Sequence, residues 1–436
     1  MLTRKKCTIV MLVSVLLLPA VLSLSGADNR TFVIRDAKVY TLGPAGTLER
    51  ASVVIADGKI AEVGVSVRAP AGAQVIQGKG LEVYPGMING WSTIGLTEIP
   101  AVDVTVDSNE MGNYKPQLLA FQAINWASEH FPVARVNGIT ASISAPGGGV
   151  ISGQAALLHL AGWTVEDMAV EKSAGMVLNF PSMGGGGGRG FGGGFGGPAR
   201  SRPFSELRRE YEKNVKELSE QLEKARHYGK AVEANPATER DRELEALLPV
   251  VQGQKLVLMR AESARDIRNA IEFGKKEKLN FVIVGGREAA QAADDLKKGN
   301  VAVILGSIYS MPGREDDAYD ERYTLPARLA KAGVKFALTS PSPSDTRNLP
   351  YEAGMASAYG LAREEALKAV TIYPAEILGV AGKLGSLEQG KSADLVVTDG
   401  DLLELKTNVK NVFIAGQNVP LESKHTKLYQ QYINRP

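Results

Sequence analysis

Only four histidines, His130, His159, His227 and His425, occur in the 436 residues. Each stands alone, and none forms the H-x-H or H-x-x-x-H spacing by which two imidazoles share a metal. A conventional zinc site is therefore not expected, and no metal ligand is assigned. His159 lies in the apolar run AALLHLAG and reads as a core or rim residue. His227 ends a charged helical stretch, where a cation suits the helix dipole. His130 and His425 read as surface residues. What else could do chemistry is arginine beside carboxylate: Arg260 with Glu262 in LMRAES, and Arg287 with Glu288 in VGGRE. Two guanidiniums can hold a carboxylate or phosphate through paired N–H donors. Alternatively, each arginine satisfies its neighbouring glutamate, and the sequence leaves both readings open.

Weaker signals surround these. The Gly-rich loop Pro146–Gln154 (PGGGVISGQ) follows a strand-like run, and consecutive N–H groups there could form an anion-binding nest. Gly148 and Gln154 lie within it. It is neither a P-loop nor a dinucleotide fingerprint. The acidic run Arg314–Asp320 lacks the ligand spacing of an EF-hand and reads as a solvated loop, with Arg314 and Arg322 as neighbours.

These groups must be positioned by elements that the patterning predicts. Residues 31–80 alternate as strands, and Asp57-Gly58 between two apolar runs is a two-residue hairpin signal. Residues 393–417 repeat that style near the other end. Between them, short apolar runs (Asn137–Ser144, Lys255–Met259, Phe281–Val284, Val301–Leu305, Val334–Thr339) alternate with helical patterns such as Ala264–Lys276 and Arg287–Lys298. That alternation predicts parallel α/β architecture. A glycine tract at 184–197 cannot hold a core, because glycine loses the most entropy on ordering; it reads as an insertion. Residues 205–226 read as a charged helix with Leu207, Tyr211, Val215, Leu218 and Leu222 on one stripe. The stripe predicts packing on the barrel rim, with an oligomer contact as the other reading.

Composition bounds the function classes. An apolar fraction of 44% and a charged fraction of 22% are ordinary for a globular chain. A net charge of +2 makes no electrostatic case for nucleic acid or a membrane surface. The N-terminus runs basic (Arg4-Lys5-Lys6), apolar, then small to Ala27, which predicts an export signal over 1–27. Pro19 breaks the apolar run below the ~20 residues of a membrane span. The protein is thus expected to be exported, periplasmic or secreted, with no membrane attachment after cleavage. The single cysteine, Cys7, precedes the apolar run.

The stretch Tyr84–Leu96, YPGMINGWSTIGL, resembles the first barrel strand of the amidohydrolase superfamily, imidazolonepropionase-like branch. That family carries PG-[LM]-I-[DN]-x-H-x-H here. Pro85 to Asn89 fit, whereas the two histidine positions hold Trp91 and Thr93. NLPYEAG (348–354), TIYPAEILG (371–379) and the strand-turn-strand segment Leu384–Leu395 also match family patterns. The resemblance implies a TIM-type (β/α)8 barrel over 85–379, carrying the glycine insertion and the charged helix (204–226). It also implies a flanking β-sandwich built from 28–84 and 380–436. The family would use zinc or another divalent metal. Its later ligand positions fall near Arg260, near Arg287, and at Ser340-Pro341. Asp345 follows by four residues, as a displaced acid/base or a turn residue.

The resulting expectation is a hydrolase of non-peptide C–N bonds by descent, with its metal ligands replaced and no cofactor. Such a chain would be catalytically silent. It would bind a small anionic ligand through Trp91, Thr93, Arg260, Arg287, Gly148, Gln154 and Ser340, or act as a homo-oligomer or the partner of an active relative. The alternative is an active hydrolase of cyclic amide or related C–N bonds, using Glu262 or Asp345 or a non-standard metal site.

Overall fold

The computed structural model describes residues 31–183, 203–313 and 316–435. The segment expected to be an export signal and the glycine tract lie outside the described residues. Among the described residues, sixteen strands form two eight-stranded sheets. The first contains β1 (Phe32–Tyr40), β2 (Thr47–Ala56), β3 (Lys59–Gly64), β4 (Gln74–Gln77) and β5 (Glu82–Pro85). It is completed by β14 (Leu395–Thr398), β15 (Val409–Ile414) and β16 (Gln417–Val419) from the other end of the chain. The Asp57-Gly58 turn joins β2 and β3 as an antiparallel pair. The two chain ends meet where β5 pairs antiparallel with β14, Val83 opposite Val397 and Glu82 opposite Thr398. The sheet then curls on itself. Phe32 on β1 and Phe413 on β15 are separated in the ladder by β5 and β14, yet their rings meet edge-on at 5.1 Å. Around them Ile34, Val53, Ile55, Val83 and Leu395 form a core of this layer's own.

The second sheet runs β6 (Met87–Asn89), β7 (Ile139–Ser144), β8 (Ile151–His159), β9 (Ala169–Asn179), β10 (Leu256–Ala261), β11 (Asn280–Gly285), β12 (Val303–Leu305) and β13 (Phe336–Ala337), neighbours in that order. Period-two alternation divides each strand between two cores. Ile88, Ile143, Val177, Leu258, Val284 and Ile304 pack on the inside, and Met87, Ile139, Leu178, Met259, Ile283 and Val303 pack outward. This is the mixed α/β, TIM-type barrel that the sequence predicts, with one departure. β8 runs antiparallel to both its neighbours, while the other adjacent pairs are parallel. The cause is local: Gly148 and Gly149 take φ of +72° and +65°, so the chain reverses in a tight turn after β7 instead of crossing over through a helix.

Gly86 is the single residue between β5 in one sheet and β6 in the other. Its N–H donates to Asp394 O (2.9 Å). A Cβ on it would lie 2.2 Å from Thr140 Oγ1. The charged helix extends over Phe204–Ala234. Its stripe packs on its own barrel, with Leu218, Leu222 and Ala225 fully buried, and Arg226 pairs with Glu277 at 2.9 Å.

Candidate functional site at the barrel mouth

Loops at the C-terminal ends of parallel strands are where barrel sites form. The guanidinium of Arg260, on β10, lies over the Trp91 ring at 5.8 Å. Trp91 itself is half-buried and packs on the barrel's inner core. Arg260 is solvent-exposed, and Nη1 donates to Asn179 Oδ1 at a long 3.4 Å. Asn179 ends β9 and is held in place by donating to Gly149 O (2.7 Å) and Ser152 Oγ (3.0 Å). Among the described residues, Arg260 makes no ion pair with a carboxylate.

Arg287 follows β11, the strand beside β10. Its backbone N–H donates to Glu262 Oε2 at 3.1 Å, and its side chain lies against Gly313. Glu262 is thereby engaged in ordering the loop after β11. Glu288 accepts from Ala264 N (3.0 Å) at the start of the helix Ala264–Lys276. Of the two readings left open by the sequence, the Arg–Glu pairs within each motif are not formed as side-chain ion pairs among the described residues. A third guanidinium, Arg322, joins them. Burial lowers its pKa, Glu262 and Asp317 oppose that, and Arg287 adds to it. Its Nε donates to Ser310 Oγ at 2.9 Å.

Across the mouth, Ser340 is buried. Its N–H donates to Asn89 Oδ1 (3.0 Å), and its hydroxyl donates to Asp345 O (2.6 Å). Asp345 is exposed and lies in the turn 342–348, as its Pro- and Ser-rich surroundings predict. Below them lies a carboxyl that motif reading passed over. Glu352 is 1% exposed and accepts from Ser307 Oγ (2.7 Å) and Ile308 N (2.8 Å). Burial pushes its pKa up to about 7 against those hydrogen bonds. The NLPYEAG segment contained the signal, but nothing in a linear sequence says that its glutamate is buried.

The remaining sequence candidates lie elsewhere. Gln154 donates to Pro116 O (2.9 Å) and accepts from Ser173 Oγ (2.5 Å), so its amide is occupied by the outer wall. Gly148 sits in the β7–β8 turn, where the N–H groups of Gly147, Val150 and Ile151 already donate to Ser108 O and Asn113 O. Thr93 is half-buried beyond Trp91. The four histidines are separately engaged: His130 with Glu98 O (2.8 Å), His159 with Asp394 (3.3 Å), His227 with Glu223 (3.8 Å) and His425 with Arg347 (2.8 Å).

A curled α/β barrel with a curled sheet domain and a polar mouth at its strand ends defines an amidohydrolase-fold protein. Residues 257–419 match the amidohydrolase family. This match spans less than half of the chain, and with the imidazolonepropionase relatives it supports the amidohydrolase superfamily, imidazolonepropionase-like branch, as what the chain is similar to. It is 37% identical over 83 residues to an imidazolonepropionase of Syntrophobacter fumaroxidans, covering 18% of this chain and 20% of that protein. It is 28% identical over 166 residues to the imidazolonepropionase of Sphingopyxis alaskensis, covering 34% and 40%. The chain thus spans a fifth to two fifths of the length of these curated relatives. An amidohydrolase from Thermotoga maritima superposes with a TM-score of 0.77 at 25% identity, covering 89% of this chain and 99% of that one.

The family match overturns one expectation, that of no cofactor. Proteins of this family and the imidazolonepropionases typically use a divalent metal. The sequence reading failed because it counted histidines at motif positions, and hard or borderline ions also take oxygen donors that such a count does not weigh. The donor set at this mouth nevertheless does not fit such an ion. Among the described residues no three His, Cys, Asp or Glu side chains converge, and the strand ends carry Trp91, Asn179 and Arg260 instead.

Proposed function

We propose that the barrel mouth binds a small anionic ligand and does not turn it over. The observation that carries this reading is Arg260: an exposed guanidinium held over an aromatic face, with one long amide contact and no carboxylate partner among the described residues. A cation–π contact orients the fork without neutralising it, and the free donors match a carboxylate or phosphate. Titration calorimetry with inorganic phosphate and a panel of small carboxylates tests it. Binding that weakens about tenfold or more in R260Q is expected, since hydrogen bonds to charged groups contribute roughly 1.5–3 kcal/mol. Equal binding by both proteins would sink the reading.

A second reading, an active hydrolase of cyclic amide or related C–N bonds, is favoured by Glu352, whose carboxyl near neutrality suits proton transfer. Turnover of such amides, assayed with zinc or manganese supplied and abolished in E352Q or E262Q, would establish it in place of silence. We further infer export to the periplasm or medium, which N-terminal sequencing of the mature chain checks. Assembly as a homo-oligomer or with an active relative is checked by sedimentation.

A further inference from the structure

Arg135, at the end of the helix His130–Arg135, is half-buried beside the turn that follows β8. A guanidinium carries five N–H donors, and here only Nη1 reaches a protein acceptor, Leu160 O at 3.3 Å. Its Nε is sealed from solvent without a partner. Burial pulls its pKa down, and among the described residues it makes no ion pair. An unpaired buried N–H costs about 1–3 kcal/mol, and a desolvated charge without a counter-charge costs more. The neighbouring space explains how this arrangement is used.

Arg135 lines a crevice of about 200 Å³ whose walls include Trp126, Phe131, Leu160 and Met168. Phe131, Leu160 and Met168 are buried, whereas Trp126 is 49% exposed at the rim. Trp163, 84% exposed, follows the lining residue Gly162. Trp126, one of the chain's three tryptophans, therefore stands exposed at the crevice rim, although exposed indole is costly in water. The volume lies below the roughly 300 Å³ at which drug-sized sites begin. Aromatic and apolar walls together with an uncompensated guanidinium match one chemistry.

We propose that this crevice is a second binding site, separate from the barrel mouth, for a small free carboxylate with an aromatic body. The ring lies against Trp126 and Phe131, and the carboxylate takes the Nη donors of Arg135 that Leu160 O leaves unused. Glu129, also lining the crevice, makes no ion pair with Arg135 and opposes the ligand's charge.

Calorimetry with 3-phenylpropionate and its neutral amide, 3-phenylpropanamide, tests this on the intact protein. The acid is expected to bind at least about tenfold more tightly than the amide, and R135Q to remove that preference. E129Q, at an exposed position, should tighten the acid about two- to fivefold by removing a like charge. W126A should weaken it, and R260Q should leave it unchanged. Equal binding of acid and amide, or no binding of the acid by about 10 mM, overturns the proposal using the wild-type protein alone. Loss of binding in R260Q with no change in E129Q would place the acid in the mouth and overturn it as well.

Discussion

Asn89 and Ser340, 251 residues apart, exchange two hydrogen bonds in the interior of the barrel. Asn89 Nδ2 donates to Ser340 O at 2.9 Å, and Ser340 N donates to Asn89 Oδ1 at 3.0 Å. Asn89 ends the first barrel strand, and Ser340 lies just beyond the last. The side-chain amide reproduces the donor and acceptor of a peptide group, so it stands in for a ladder rung at the seam between β6 and β13. Close packing confirms the closure: a Cβ on Gly90 would lie 3.3 to 3.7 Å from Ile304, Thr339 and Ala337.

Removing that rung should loosen the seam. N89A leaves the buried Ser340 N–H unpaired, at about 1–3 kcal/mol, and leaves its C=O only the long contact from Thr346 Oγ1 (3.4 Å). The expected loss is therefore about 1–3 kcal/mol, read as a lower urea midpoint. N89D should do worse than N89A's lost contacts alone suggest, because a carboxylate would face the Ser340 carbonyl. A midpoint unchanged in both variants would show that the seam is held by packing.

Gly86 offers a steric test at the junction of the two sheets. Because a Cβ there would stand 2.2 Å from Thr140 Oγ1 and 2.3 Å from its Cγ2, G86A must displace a strand residue that is itself buried. Overpacking of this kind costs about 1–3 kcal/mol. The companion T140G should recover part of the loss in a double variant, which a double-mutant cycle in urea measures.

Glu352 should make stability fall as pH rises. Its folded pKa, raised to about 7 by burial, exceeds the unfolded value of about 4.3. Between those two values the native state binds the extra proton, so each rise in pH there favours unfolding. The gap corresponds to roughly 3–4 kcal/mol at 1.36 kcal/mol per unit. E352Q, which keeps an acceptor for Ile308 N, should flatten the wild-type decline in unfolding free energy between pH 5 and 8. A slope identical in the variant would mean that the carboxyl is already ionised at pH 5.

The His159–Asp394 pair ties the antiparallel strand β8 to the C-terminal sheet. Burial of the ring works to lower its pKa, and the Asp394 charge 3.3 Å away outweighs this and raises it. For a histidine raised in the folded state, the stabilisation is complete below the unfolded pKa, about 6.5, and is lost as pH rises through the folded value. D394N should therefore reduce the melting temperature at pH 6 more than at pH 9. Ser392, which donates to Asp394, would then face an amide in both conditions, so its contribution cancels in the comparison.

Much of the scaffold is local chemistry and was legible without coordinates. Asp57-Gly58 makes the turn its residues require, Ala264–Lys276 is a helix over the predicted span, and the 205–226 stripe buries Leu218 and Leu222 while Leu207 stays half-exposed. Such features depend on neighbours two to four residues away, which periodicity reports directly. The resemblance to the amidohydrolase superfamily was likewise readable from Pro85–Asn89 and the C-terminal strand-turn-strand segment. Tertiary structure alone decided the rest. It set the reversed direction of β8, the Asn89–Ser340 seam, the burial of Glu352, the convergence of Arg322 on Arg287 and Glu262, and the uncompensated Arg135 beside Trp126. Each of these depends on groups brought together from distant parts of the chain, and on how much water the surrounding fold excludes. A sequence names those groups but does not say which of them will meet, nor which will be dry.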